Sequence, residues 1–176
     1  MPYQNKITKL SKVQKMVFIS MLIAFALVLS YIERAIGAIS PVPGVKLGLA
    51  NIITLTSLYF LFFHEALLLV ILRVTLNCFF TGSFLSFWYS MSGGLLSFFV
   101  MFLLITFSRQ KISTIGVSVT GGVFHNIGQL IVVAIMTENI NVAIAYFPVL
   151  AISGVITGIL IGTTVSYLLN YLRKVF

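Results

Sequence analysis

Six long apolar segments, separated by short polar connections, occupy most of this chain. A membrane-spanning helix needs about 20 mainly apolar residues, or somewhat fewer when its flanking residues reach the interface. The candidate segments are Val13–Ile32, Leu47–Phe63, Ala66–Phe80, Phe84–Phe107, Ser113–Met136 and Ala145–Tyr171. The third is short for a span, and the sixth is long enough to tilt or to begin outside the bilayer. This pattern predicts an all-α integral membrane protein with six transmembrane helices.

The chain has too few charged residues for a soluble protein of its size. Of its 176 residues, 60% are hydrophobic and 8% are charged, whereas roughly a quarter of the residues in a soluble domain are charged. The length suits one domain. We therefore expect residues 1–176 to form a single membrane domain, in which residues 1–12 are a basic cytoplasmic segment and residues 33–46 are an outer loop containing proline and glycine.

The basic residues indicate which side of the membrane holds the termini. Four lysines lie at or before the start of the first apolar segment, and Arg173 and Lys174 follow the last one. Arg109 and Lys111 lie between the fourth and fifth segments. Because cytoplasmic segments carry the excess of Lys and Arg, both termini are expected on the cytoplasmic side of the membrane. The formal charge of +8 is thus topological and does not indicate nucleic-acid binding.

The chain contains three glutamates and no aspartate, and this composition excludes several classes of enzyme. Paired-carboxylate hydrolysis, Walker-type ATP hydrolysis and the aspartate-rich magnesium sites of prenyl transfer all lack their residues. No Cys/His spacing for zinc is present, and the single cysteine excludes an internal disulfide. The sequence predicts a protein that is not an enzyme and that has no metal or cofactor of its own.

Arg73 interrupts the third apolar segment. An arginine at the centre of a spanning helix costs at least ~2.5–3.5 kcal/mol on insertion scales, so it normally faces the protein interior or a watery cavity with a partner. Asn77 shares its helix face, because residues four apart are neighbours on a helix. A structural ion pair is one interpretation of Arg73. Since the glutamates are expected near the membrane surfaces, an anionic ligand or a cavity lined by carbonyl groups is favoured.

His125 and Gln129 form a second pair four residues apart, on the fifth segment. At 1.5 Å per helical residue, the polar side chains of the second, third and fifth segments cluster from about the midplane outward. Asn51, Asn126 and the loop residue Lys46 complete the candidate ligand-binding set. For Asn51, Asn126 and Gln129, a simple hydrogen bond across a helix interface is an equal alternative. A further hypothesis makes His125 an axial ligand to a haem-like substrate.

Small residues indicate where helices pack closely. Gly154, Gly158 and Gly162 form a GxxxGxxxG face on the sixth segment, which permits close approach of another backbone. Ser20 and Ala24 give the first segment a second face of this kind, directed at another helix or another subunit. The sequence therefore predicts a packing role for the glycines and leaves the partner of the Ser20 and Ala24 face open.

Four sequence blocks carry a resemblance to a known family: residues 43–51 (PGVKLGLAN), Arg73, the pair Gly93-Gly94, and residues 121–129 (GGVFHNIGQ). Together they resemble the Gx transporter family, which is also called heptaprenyl diphosphate synthase component I. Members look like the substrate-binding S components of energy-coupling factor transporters. The resemblance implies an S-component-like bundle that captures a small molecule from outside and works with a transmembrane coupling subunit and two ATPases. It also implies docking through a small-residue face on the first helix, here Ser20 and Ala24, and a location in the bacterial plasma membrane.

The sequence and the resemblance leave two functions open. The first is a membrane-embedded, S-component-like subunit for the uptake of a small anionic or polar-headed molecule, with ATP consumed by its partners. The alternative is a non-catalytic membrane accessory subunit in isoprenoid or quinone metabolism, connected with heptaprenyl diphosphate. The absence of aspartate means that the chain cannot itself be the catalytic prenyltransferase.

Overall fold

The computed structural model describes residues 11–37, 48–108 and 111–175. This part of the chain forms the helices α1 (Lys12–Gly37), α2 (Ala50–Phe60), α3 (Phe63–Thr81), α4 (Phe84–Phe107), α5 (Thr114–Met136) and α6 (Ile140–Val175), and the described ranges contain no strand. Five of these helices are long and apolar enough to cross a membrane, and α2 is a shorter apolar helix. The predicted all-helical membrane bundle is confirmed.

Contacts at the two ends of the bundle give the direction of the first three helices. Near the start of α1, Nζ of Lys15 lies 2.6 Å from Oε1 of Glu65, in the first turn of α3. Near the end of α1, Arg34 donates a hydrogen bond to Asn77 in the second half of α3. Helices α1 and α3 therefore run parallel, and α2 returns between them. We refer below to the Lys15 end and the Arg34 end of the bundle.

Helix α2 is enclosed by the other helices along nearly its whole length. Within it, every residue but Ile52 is buried. The predicted span of residues 47–63 was too long, because the helix has 11 residues, which is about 17 Å at 1.5 Å per residue. A helix surrounded by protein is not required to match the hydrocarbon thickness, since its ends meet protein groups instead of lipid. The short α2 thus still carries the chain from one end of the bundle to the other.

Other predicted helix ends also need correction, and α6 runs over Ile140–Val175 in place of the predicted Ala145–Tyr171. Helix α1 continues to Gly37, past the predicted end at Ile32, so the first part of the expected outer loop is helical. Helix α3 begins at Phe63, before the predicted Ala66, because the carboxylate of Glu65 accepts a hydrogen bond from the backbone N–H of Phe62 and caps the first turn. The polar residues at this turn therefore belong to the first turn of α3 and do not precede the helix.

The glycines of α6 pack directly against α5. A Cβ atom on Gly154 would lie 3.0 Å from the carbonyl oxygen of Gly122, and one on Gly158 would lie 2.5 Å from Cα of Val119. At Gly162 the nearest atom, Cα of Ile115, would be 2.6 Å away. Successive glycines along α6 contact residues that lie successively earlier in α5, so the two helices are antiparallel. The predicted packing role of this glycine face is confirmed.

Candidate binding site

Arg73 lies at the middle of α3, which has 19 residues, and its side chain is buried with 5% of its surface exposed. Among the described residues, no hydrogen-bond acceptor is present for its Nε. A guanidinium cannot lose its charge under ordinary conditions and presents five N–H donors. The protein therefore holds a buried cation with an unused donor at mid-helix.

The last turns of α1 bring two charged residues to this part of α3. Glu33 accepts a hydrogen bond of 2.5 Å from the backbone N–H of Gly48, and its carboxylate stabilises the Arg73 cation electrostatically. Its neighbour Arg34 donates through Nη2 to Oδ1 of Asn77 at 3.1 Å. Sequence reasoning assigned both charged residues to a loop and missed them as site residues. The signal was the absence of glycine and proline between Ile32 and Gly37, which favours continuation of the helix.

Two consecutive glycines of α4 separate the polar pairs of α3 and α5. A Cβ atom on Gly94 would lie 3.6 Å from Nη2 of Arg73. On Gly93 it would lie 3.1 Å from Cε1 of the His125 ring and 3.1 Å from Cγ of Gln129. Any larger residue at these positions would fill the space beside the polar groups. The glycine pair therefore lets α3 and α5 present their polar side chains at neighbouring levels of α4.

His125 and Gln129 are in contact with one another on α5. The two Nε2 atoms lie 3.2 Å apart, and Gln129 is 6% exposed. Because the amide nitrogen is a donor, His125 accepts through Nε2 in this arrangement. The same turn of α4 is tied to this stretch of α5, since the hydroxyl of Ser92 donates to the carbonyl oxygen of Gly128 at 2.7 Å. The pair is thus held in one orientation toward α4.

Asn51 lies in the first turn of α2, buried with 7% of its surface exposed. Its Nδ2 would lie 3.3 Å from a Cβ atom on Gly48, the residue whose N–H binds Glu33. Gly48 has a φ of 69°, a left-handed conformation that glycine adopts without steric cost. Asn51 is therefore connected to the Arg73 region through the Gly48 turn and the end of α1.

The other predicted ligand-binding residues have different surroundings. Asn126 is buried, and its Nδ2 donates to the carbonyl oxygen of Leu150 on α6 at 2.6 Å. This bond favours the helix-packing alternative for Asn126, because it directs the side chain toward α6. Lys46 lies outside the described residues. Within the described ranges, no group of three or more His, Cys, Asp or Glu side chains could hold a metal ion.

The predicted docking residues lie on the outer surface of the bundle. Ser20 and Ala24 are both exposed on α1. On the opposite side of the helix, Leu22 and Ala26 are buried in the main hydrophobic core. The small-residue face of α1 is therefore available to another helix or another subunit.

Comparison with known families identifies the family of the chain. The family model described as heptaprenyl diphosphate synthase component I matches residues 22–168, which takes in most of α1 and every polar residue of the candidate site. The chain belongs to this family. It is a membrane protein with several helices long and apolar enough to span a bilayer, in a family whose name describes a component of a synthase. No curated protein and no solved structure matches the chain.

Proposed function

We propose that this protein is the membrane-embedded, substrate-binding subunit of an uptake system, similar to the S components of energy-coupling factor transporters. The observation that carries the proposal is Arg73, a cation buried at mid-helix whose Nε has no acceptor among the described residues. A buried donor left unsatisfied costs about 1–3 kcal/mol, and more for a charged group. Because a ligand oxygen would remove this cost, the site is poised to bind an acceptor.

The ligand proposed from this chemistry is small, with an anionic or strongly accepting head group. The planar guanidinium of Arg73 matches the two oxygens of a carboxylate or phosphate. Asn77, one turn away, and the pair His125 and Gln129 across Gly93-Gly94 would contact the rest of the head group. Asn51 and Lys46 would contribute from α2 and the segment before it. Asn126 would act through packing against α6.

Transport would follow alternating access about this mid-membrane site, with ATP hydrolysed by separate subunits. The chain itself would perform no chemistry, in keeping with its lack of aspartate. We propose a location in the bacterial plasma membrane with cytoplasmic termini, since basic residues are concentrated at both ends of the sequence. The Lys15 end of the bundle would then be the cytoplasmic end.

Coupling to the other subunits is proposed to use the exposed face of α1. Ser20 and Ala24 are one turn apart, and small residues at this spacing let helix backbones approach closely in a membrane. Both side chains are exposed, so no described part of the chain covers this face. The transmembrane coupling subunit would pack there, and the two ATPases would bind that subunit.

The second candidate function is a non-catalytic membrane subunit of a heptaprenyl diphosphate synthase, and it is favoured by the name of the family. A soluble catalytic partner would supply the aspartates that this chain lacks. Affinity purification of the tagged protein from its host membranes discriminates the two. Co-purification of ATPase and coupling subunits supports uptake, whereas an aspartate-rich prenyl synthase in their place contradicts it.

Native mass spectrometry of the purified protein tests the binding role. We expect a co-purified small molecule in the wild-type protein and its loss in Arg73→Ala. Thr157→Val is the matched control, because Thr157 is a buried polar residue of α6 whose hydroxyl bonds within its own helix. A ligand whose occupancy is the same in all three proteins would show that the proposed site is wrong.

A further inference from the structure

The last turns of α1, at the Arg34 end of the bundle, contact two other parts of the structure. Glu33 binds the N–H of Gly48, which leads into α2, and Arg34 binds the side chain of Asn77 on α3. Because these two charged residues are consecutive, both contacts fix the same turn of α1. The carboxylate of Glu33 is therefore held in place by a backbone donor and cannot swing freely.

That turn of α1 lies beside the helix face that carries Arg73. Asn77 and Arg73 are four residues apart on α3, so their side chains share one face. The Arg34–Asn77 bond places the end of α1 against this face, one turn from the buried guanidinium. Glu33 is the carboxylate that stabilises the Arg73 cation electrostatically, yet no acceptor among the described residues meets Nε of Arg73. The positive charge of Arg73 is thus partly compensated, while its Nε–H donor has no acceptor among the described residues.

We infer that Glu33 is the resident counter-ion of Arg73, and that the anionic head of the ligand binds Arg73 in competition with it. This inference rests on the proposed binding role of Arg73 and assigns a specificity-determining residue to that site. With the site empty, Glu33 compensates the arginine and makes the buried charge tolerable. With the ligand bound, the carboxylate opposes the second anion and keeps binding reversible, which a protein that must release its substrate requires.

Glu33→Gln separates the charge of this residue from its hydrogen bond. The carboxamide oxygen can still accept from Gly48, while the negative charge is lost. Glu65→Gln is the matched control, because Glu65 is a partly buried carboxylate at the opposite end of the bundle, paired with Lys15. Each substitution would be made alone and together with Arg73→Gln, and the thermal midpoint of unfolding would be measured in lipid nanodiscs.

We expect Glu33→Gln and Arg73→Gln each to lower the midpoint by about 3 °C or more. Since neutralising both partners removes the imbalance, the double variant should lose clearly less than the sum of the single shifts. The shifts of Glu65→Gln and Arg73→Gln should add. Additive shifts for the Glu33 and Arg73 substitutions would overturn the counter-ion assignment.

Sodium acetate, compared with sodium chloride at equal ionic strength, probes the competition. Acetate should stabilise Glu33→Gln at a concentration at least tenfold lower than it stabilises the wild type, and it should have no such effect on the double variant. An equal acetate response in Glu33→Gln, Glu65→Gln and the wild type would contradict the proposed competition between Glu33 and the anion for Arg73. These readouts need no transport, so their failure is distinguishable from failure of the proposed uptake function, which is decided by ligand capture and partner identity.

Discussion

Nζ of Lys15 lies 2.6 Å from Oε1 of Glu65 and 4.7 Å from the centre of the Phe62 ring. Oε2 of the same glutamate accepts from the backbone N–H of Phe62. The two interacting side chains are largely buried, with 20% and 16% of their surfaces exposed. One lysine thus joins the first turns of α1 to the connection between α2 and α3, where three helices meet.

We predict that Lys15→Ala lowers the free energy of unfolding by about 1 kcal/mol, from the ion pair and the contact with the aromatic ring together. The control is His64→Ala, because the side chain of His64 is 77% exposed and lies 3.9 Å from Oε1 of Glu65. Its removal should change stability little. Thermal unfolding in nanodiscs measures both. Equal losses for the two variants would contradict a specific role for Lys15.

Gly93 and Gly94 offer a matched pair of substitutions beside the site. At Gly94 an added methyl group would lie 3.6 Å from Nη2 of Arg73, an ordinary van der Waals distance. At Gly93 it would lie 2.7 Å from the carbonyl oxygen of His125, which cannot move without shifting α5. Gly94→Ala should therefore fold normally and lose ligand occupancy, whereas Gly93→Ala should lower the thermal midpoint by several degrees. Equal stabilities would contradict the close approach of α4 and α5.

We expect Asn126 to contribute to stability and Gln129 to contribute to ligand binding. Asn126→Ala removes the bond to Leu150 between α5 and α6, so it should cost about 1 kcal/mol of stability and leave ligand occupancy unchanged. Gln129→Ala should instead lower occupancy, because its side chain contacts His125 beside the glycine pair. Native mass spectrometry and thermal unfolding on the same samples separate the two effects. Loss of ligand in a fully folded Asn126→Ala protein would place Asn126 in the binding site.

Gly158 tests the packing of α5 against α6. A Cβ atom there would lie 2.5 Å from Cα of Val119, a backbone atom. Overpacking of this kind typically costs about 1–3 kcal/mol, so Gly158→Ala should lower the thermal midpoint markedly. Ile159→Ala, on the exposed side of the same turn, should have little effect. A tolerated alanine at position 158 would contradict the close contact of these helices.

The sequence was sufficient to predict the helical membrane bundle, because long apolar segments admit few other structures. The GxxxGxxxG face of α6 was also predictable, since small residues four apart leave a groove on any helix. Hydropathy could not give the true length of α2: the predicted Leu47–Phe63 and the observed Ala50–Phe60 are equally apolar at their ends. Burial of α2 among other helices removes the requirement for a full span, and that is a property of the assembled fold.

The candidate site also has features that the sequence could predict and features that it could not. Arg73 was identifiable as a residue that needs a partner, since a permanent charge in an apolar segment is costly. Glu33 was not identifiable as that partner, because ending α1 at Ile32 put the two residues in different surroundings. For Asn126, the sequence left binding and packing equally open. Its bond to Leu150 depends on how α6 lies against α5, which no local pattern specifies.

The most direct test of the central claim is ligand occupancy in Arg73→Lys and Arg73→Gln, measured by native mass spectrometry beside the thermal midpoint. If Arg73 binds the ligand, occupancy should fall from wild type to Lys, which keeps the charge but loses the planar fork, and fall further in Gln. Thr157→Val should keep wild-type occupancy. Unchanged occupancy in folded Arg73→Gln protein would contradict the account, because Arg73 would then be a purely structural residue.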